Sequence, residues 1–377
     1  MAALPTDSIK TNARLKVGFI GLGLIGGSIA KALKAAIPDI RLTAYDTDKE
    51  TLALARKEGV ADTVTDTIGA SFGDCDFIFL CAPVSVNSQN LAALKKYLSP
   101  SCLLTDVGSV KGGIHDRIRA LGLSAQFTGG HPMAGSERFG YANSKAHLLE
   151  NAYYILTPTA EVPVKKLESY RELVAAMGAI PLVLSAGEHD YVTAAVSHLP
   201  HVIAASLVHL VKDSDSDDGI MKTIAAGGFK DITRIASSSP GMWQQICLTN
   251  TDNILRLLDD YIRSLTLVRG DLERKNADAL YGFFQGAQTY RDSFAEASSG
   301  PIKKSYSLTA DIADETGALA SVAALLAKNR ISIKNIGIVH NRERAEGALR
   351  MEFYGENDAV CAAGLLREHG YAIYEKK

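Results

Sequence analysis

Cysteine, tryptophan and net charge are all scarce in this 377-residue chain. The five cysteines (Cys75, Cys81, Cys102, Cys247 and Cys361) form no CxxC pair and are odd in number. That excludes a disulfide scaffold and a zinc site, and it suits reduced thiols in a cytoplasmic protein. Forty basic against 42 acidic side chains leave a formal charge of −2, without the basic excess that a phosphate backbone demands. Neither nucleic acid nor a metal is an expected partner. The longest apolar run, Val17–Ala30, is broken by glycines and followed by Lys31 and Lys34. It falls short of the ~20 residues that span a bilayer. The first fifteen residues hold no apolar signal-peptide core and read as a frayed leader, so no membrane and no secretion is expected.

What is present is an ordinary globular balance, 47% apolar and 22% charged, at a length that predicts two or three domains of roughly 150 residues. From residue 15 to 184, short β-rich runs (VGFI, RLTAY, DFIFLC, CLLTDV, AQFTGG, NAYYILT, IPLVL) alternate with helical segments. Near-continuous apolar strands between helices predict a doubly wound α/β domain with a parallel sheet covered on both faces. From 185 to 295 alternation disappears. The stretches 190–211 and 250–276 each read as one long helix, which buries its apolar stripe against another helix or a partner subunit. A helical substrate or dimerisation domain, and with it a homodimer, is expected. Small polar residues at 295–305 read as a linker. The remainder, 304–377, has the order β-α-β-β-α-β of a ferredoxin-like unit.

The strongest motif is VGFIGLGLIGGSIAKAL. Gly21, Gly23 and Gly26 stand in GxGxxG spacing after the first strand, with Leu24 and Ile25 opening a helix. A tight turn, a backbone free of Cβ and a helix N-terminus together suit a pyrophosphate. Asp46 lies twenty residues beyond Gly26 at the end of the second strand, where a carboxylate accepts from both adenosine ribose hydroxyls. It would repel a 2′-phosphate, so NAD is expected over NADP. Asp48 reads as a helix N-cap. Ala82 and Pro83 follow Cys81 at the carboxyl edge, where they either contact the cofactor or simply end a strand.

Four further segments follow in order: TDVGSVKGGI, GGHPMAGSERFG, VSHLPH and GGFKDITRIA. Taken singly, their histidines read equally as satisfied core residues. In this order after the nucleotide fingerprint, they resemble the prephenate/arogenate dehydrogenase family of tyrosine biosynthesis, over roughly residues 16–295. The ADIADETGALASVAALLAKNRISIKNIGI segment resembles an ACT regulatory domain. No helical segment is left over for a fused chorismate mutase.

The resemblance implies an NAD-dependent oxidative decarboxylation of prephenate, or of arogenate, which differs only in an amino for a keto group. Such chemistry needs a base that is neutral near pH 7, and His131 fits, because imidazole titrates near 6.5. Ser109 is placed to share the ring hydroxyl, and reads also as a helix N-cap. Arg234 is the expected clamp for a carboxylate, with Asp231 three residues earlier on the same helical face to restrain it. Glu137 is implied as part of a gate. Ser197 and His201, four apart, face one way and are implied in the pocket, whereas His198 reads as structural. Lys111 reads as solvated or as supporting the cofactor, and Trp243 as core more than substrate contact. In the ACT-like unit, Gly317 and Asn335 are the expected effector site, with tyrosine as effector. Another β-hydroxyacid dehydrogenase and a non-catalytic NAD or amino-acid sensor are the rival readings.

Overall fold

The structure is a computed structural model that describes residues 14–135, 138–297, 306–312, 315–339 and 347–374. Most of the leader, Glu137 and most of the linker lie outside the described residues. The chain divides into two compact units, Met1–Tyr281 and Gly282–Lys377.

The first unit opens with a five-stranded parallel sheet. Its strands are β1 (Lys16–Ile20), β2 (Arg41–Tyr45), β3 (Thr63–Thr65), β4 (Phe77–Leu80) and β5 (Leu103–Asp106), in the order β3-β2-β1-β4-β5. Successive side chains point to opposite faces, and both faces are buried. Val17, Phe19, Phe77 and Phe79 enter one core, while Ile20, Ile78 and Leu80 enter the other. The rings of Phe19 and Phe79 stack at 5.2 Å across neighbouring strands, and burying each side chain stabilises by about 1.5–3 kcal/mol. Helices α1 (Leu24–Ala36), α2 (Lys49–Lys57), α3 (Val84–Leu94) and α4 (Gly112–Ala120) connect these strands or follow them.

The all-parallel expectation needs correction at the next three strands. β6 (Thr128–Pro132), β7 (Tyr153–Pro158) and β8 (Ile180–Val183) form a separate sheet in which β7 runs antiparallel to β6 and parallel to β8. The described part of the β6–β7 connection carries only two short 3-10 turns, whereas a parallel return usually needs a crossover helix. Such a helix, α5 (Val164–Ala176), does separate β7 from β8.

The predicted helix 190–211 is also interrupted. It is built from α6 (Ala186–Thr193), a π-helical turn at Ala194–His198 and α7 (Leu199–Ser214). Pro200 explains the break: it has no N–H to offer the carbonyl of Val196, and its ring would crowd that carbonyl. This run is long and apolar enough to cross a membrane by length and composition. It nevertheless carries His189, Asp190, His198 and His201, and it packs on α9 (Gly227–Thr233) and α11 (Thr251–Glu273). α8 (Ile220–Ile224) and α10 (Pro240–Thr249) complete the helical part.

The boundary between the units falls inside α12 (Ala277–Ala297), earlier than linker composition suggests. The second unit runs β9 (Tyr306–Ile312), α13 (Ala318–Lys328), β10 (Ile333–Val339), β11 (Gly347–Phe353), α14 (Glu356–Glu368) and β12 (Ile373–Tyr374). Its antiparallel sheet has the order β10-β11-β9-β12. Leu308, Ala310 and Ile312 alternate along β9 into a core closed by Val322, Leu326 and Leu366.

Candidate active site

The glycine turn is dictated by crowding. Gly21 has φ +99°, and a Cβ there would lie 2.9 Å from the backbone N of Ala82. A Cβ on Gly26 would lie 2.6 Å from the Gly21 carbonyl. Gly23 differs, because the space beside it is open. It precedes α1 without a side-chain cap, so the first N–H groups of that helix are left for an anion. Leu24, Ile25, Ala82 and Pro83 line the adjoining cavity of about 650 Å³. Asp46 is fixed by accepting from the N–H of Leu22 (2.7 Å) and of Asp48 (2.9 Å). Asp48 caps α2 through the N–H of Glu50, as expected. An open turn, an uncapped helix and a held carboxylate fit a dinucleotide.

Ser109 and His131 line both this cavity and a second of about 340 Å³. Ser109 is not the cap of α4, which starts at Gly112. The cap comes from another helix: Asp190 accepts from the N–H of Lys111 at 2.7 Å and of Gly112 at 2.8 Å. His131 Nδ1 lies 2.8 Å from His189 Nε2, and His189 Nδ1 lies 2.7 Å from Asp190 Oδ1. Burial holds His131 well below its ordinary 6.5, with Lys111, His189 and His198 adding to the effect. Burial works to raise Asp190, but bonds from His189 and from the N–H groups of Lys111 and Gly112 outweigh it and leave it low.

Lys111 is not solvated, which corrects that one of its two readings. It is 0% exposed, pairs with buried Asp106 and donates to the Gly130 carbonyl at 2.7 Å. Burial lowers its pKa against the pull of Asp106. Asp106 also accepts from the N–H of Gly108 and of Gly130. The Gly-Gly pair before His131 is required here, since a Cβ on Gly130 would meet the Tyr170 hydroxyl at 2.6 Å and the Asp106 carbonyl at 2.7 Å.

Ser197 and His201 both line the second cavity, although Ser197 belongs to the π turn and not to one regular helix. His201 Nδ1 donates to the Ser197 carbonyl at 2.9 Å. His198, expected elsewhere, lines the same cavity while accepting from Asn250 Nδ2 at 3.1 Å. Burial pushes it down to about 4. Trp243 is a wall of this cavity, its ring 3.6 Å from that of His201. Arg234 is exposed near His201, whose pKa its charge helps lower after burial. It does not share a helix with Asp231, because α9 ends at Thr233 and Arg234 begins a 3-10 turn. Asp231 is exposed.

His189, Asp190 and Asp106 escaped sequence reading. The available signal was the His-Asp pair in AGEHDY, beside the Ser185–Glu188 capping box that fixes the start of α6.

A parallel nucleotide-binding sheet whose carboxyl edge faces a histidine-lined cavity walled by helices is the arrangement of a dinucleotide-dependent dehydrogenase. Comparison with known proteins narrows this. The family described as "Prephenate dehydrogenase, nucleotide-binding domain" matches residues 29–182, and "Prephenate dehydrogenase, dimerization domain" matches 185–286. Prephenate dehydrogenase of Bacillus subtilis (strain 168) is 40% identical over 343 residues, covering 90% of this chain and 92% of its own length. Prephenate dehydrogenase of A. aeolicus, solved with hydroxyphenyl propionate and NAD+, is 32% identical with a TM-score of 0.71, covering 76% of this chain and 100% of that one. Synechocystis arogenate dehydrogenase is 28% identical with a TM-score of 0.68, covering 74% of this chain and 100% of that one. The chain belongs to the prephenate dehydrogenase family and is an NAD-dependent oxidoreductase.

Proposed function

We propose that this chain converts prephenate to 4-hydroxyphenylpyruvate, with His131 as the base. The observation that carries the assignment is the place of His131: on the wall shared by both cavities, with Nδ1 engaged by His189 and with no hydrogen bond to Nε2 among the described residues. NAD, when bound, accepts the hydride from the ring C4. His131 Nε2 takes the proton of the C4 hydroxyl, and Ser109 holds that hydroxyl in place. The ring carboxylate then leaves as carbon dioxide, its bonding electrons complete the aromatic ring, and the phenolate oxygen so formed regains the proton held by His131. Arg234, exposed near His201, binds a substrate carboxylate, and Ser197 and His201 line the second cavity; Glu137, outside the described residues, and Asp231 are assigned to a gate. Gly21, Gly23, Leu24, Ile25, Gly26, Asp46, Ala82 and Pro83 hold the cofactor, and Asp46 selects NAD over NADP.

Domain limits of 15–184, 185–295 and 304–377 follow from the change of pattern along the chain. The helical domain is read as dimerising, supported by exposed Leu255, Ile262 and Leu265 on α11. Five free thiols suit a cytoplasmic protein. The second unit is read as a ferredoxin-like ACT domain, supported by its strand order. Gly317, at φ +96°, opens α13, and Asn335 on β10 pairs with Glu352. Tyrosine is the effector assigned to this turn.

Arogenate is the second reading, favoured by the likeness to Synechocystis arogenate dehydrogenase. The test is NADH or NADPH formation by the purified chain with each substrate, with NAD and NADP, with and without tyrosine. Turnover of prephenate alone supports the proposal, preference for arogenate favours the second reading, and insensitivity to millimolar tyrosine removes the regulatory assignment.

A further inference from the structure

We propose that His189 and Asp190 are positioning residues that hold His131 in the tautomer whose Nε2 carries no proton. The inference rests on the reading of His131 as base and says how the fold makes it one. An imidazole can accept a proton only at the nitrogen that lacks one, so a base with the wrong tautomer is idle however well it is placed. A neutral histidine has one N–H, and its neighbours decide which nitrogen carries it.

Asp190 is ionised, and its Oδ1, 2.7 Å from His189 Nδ1, accepts and does not donate. The His189 proton that Asp190 accepts therefore sits on Nδ1, and with that as the ring's one N–H its Nε2 bears a lone pair. That lone pair faces His131 Nδ1 at 2.8 Å, which makes Nδ1 of His131 the donor. His131 Nε2 is left unprotonated on the cavity wall. His189 is 0% exposed, so no water competes for its nitrogens.

Asp190 is itself locked. The N–H groups of Lys111 and Gly112 hold its two oxygens, and its carbonyl accepts from Asn250 Nδ2 at 2.7 Å. Among the described residues, the other charged or titratable groups around the two rings are Lys111 with its partner Asp106, and His198. Lys111 and His198 disfavour a positive His131, while neither bonds to its ring in this structure. When Nε2 takes a proton, the Nδ1–H of the resulting imidazolium already points at His189 Nε2, which is backed by the Asp190 carboxylate. Charge developing on the base is thus met by dipoles that need not turn.

The test combines a spectrum with kinetics. In the full-length protein labelled with 15N-histidine, the His131 signals are assigned by their loss in His131→Asn. At neutral pH, Nε2 should show the shift of an unprotonated ring nitrogen and Nδ1 that of a protonated one. His189→Leu should lower kcat about 10²- to 10⁴-fold, the upper figure being that for a wrong tautomer in a serine-protease triad, with KM little changed. His189→Gln, whose Oε1 accepts from Nδ1–H, should restore most of that loss. A protonated Nε2 in the wild type, or His189→Leu with unaltered kcat, overturns the inference. If the leucine variant does not fold, the wild-type spectrum alone decides. His131→Asn with normal turnover would remove the base assignment instead, while the spectrum still reports whether His189 and Asp190 set the tautomer.

Discussion

Replacing His131 with asparagine removes the imidazole that carries Nε2 while keeping a polar side chain at the end of β6. A positioned general base contributes about 10²- to 10⁴-fold, or about 2.7–5.4 kcal/mol of barrier. His131→Asn should therefore lower kcat by that factor. The hydrogen bond it makes to a bound hydroxyl is neutral and is worth about 0.5–1.5 kcal/mol, so KM should rise less than about tenfold. The structure also sets the pH dependence. Burial, with Lys111, His189 and His198, holds His131 well below 6.5, and the base works only when unprotonated. Wild-type kcat/KM should stay flat through pH 7 and 6.5 and fall only at more acidic pH, and the asparagine variant should lose that limb. Steady-state NADH formation across pH measures both. If turnover survives and the acidic limb is unchanged, the base is another group. His201, with Nδ1 committed to the Ser197 carbonyl, is then the next to test.

Asp46→Ser should relax the preference for NAD, read as the ratio of kcat/KM for the two cofactors; equal efficiencies in the wild type would remove the role given to Asp46. Arg234→Gln should act mainly on KM, since losing a hydrogen bond to a charged group costs about 1.5–3 kcal/mol, or roughly 10- to 150-fold; a kcat defect with unchanged KM would refute a ground-state clamp. His198 titrates at about 4 when folded against 6.5 when unfolded, so between those values the unfolded chain binds more protons. Its contribution, about 3 kcal/mol at 1.36 kcal/mol per pH unit, is complete above pH 6.5 and is lost as pH falls towards 4. Urea unfolding of wild type and His198→Asn at pH 7 and 4 should show a shallower loss in the variant.

The cofactor half of the site was legible because its information is local. GxGxxG, the strand before it and Asp46 all lie within one βαβ unit, and each residue answers a backbone or charge requirement that spacing expresses. The direction of β7 was not legible, since an apolar strand buried on both faces reads alike in either direction. Pro200 did announce the break in the long helix, but the period of apolar residues on both sides masked it. Lys111 shows the limit most clearly. A lysine before two glycines looks solvated, and only the return of β6 beside β5 reveals the carboxylate and carbonyl that bury it. His189 meets His131 from 58 residues away, a separation at which periodicity carries no signal.

The two carboxylates that escaped the sequence reading explain why the base stands where it does. Asp106 ends β5 and ties the N–H of Gly108, the N–H of Gly130 and the ammonium of Lys111 to one point. Asp190 ties α6 to the start of α4 at the N–H of Lys111. Lys111 therefore joins both carboxylates, one by its side chain and one by its main chain. A buried ion pair is a poor source of stability, because desolvation offsets most of the attraction. Its effect here is geometric: the strand that carries His131, the loop that carries Ser109 and the helix that carries His189 are fixed to one another by charge-assisted bonds with defined directions. A base that must meet a hydroxyl within hydrogen-bonding reach gains more from that rigidity than from any one contact in the cavity.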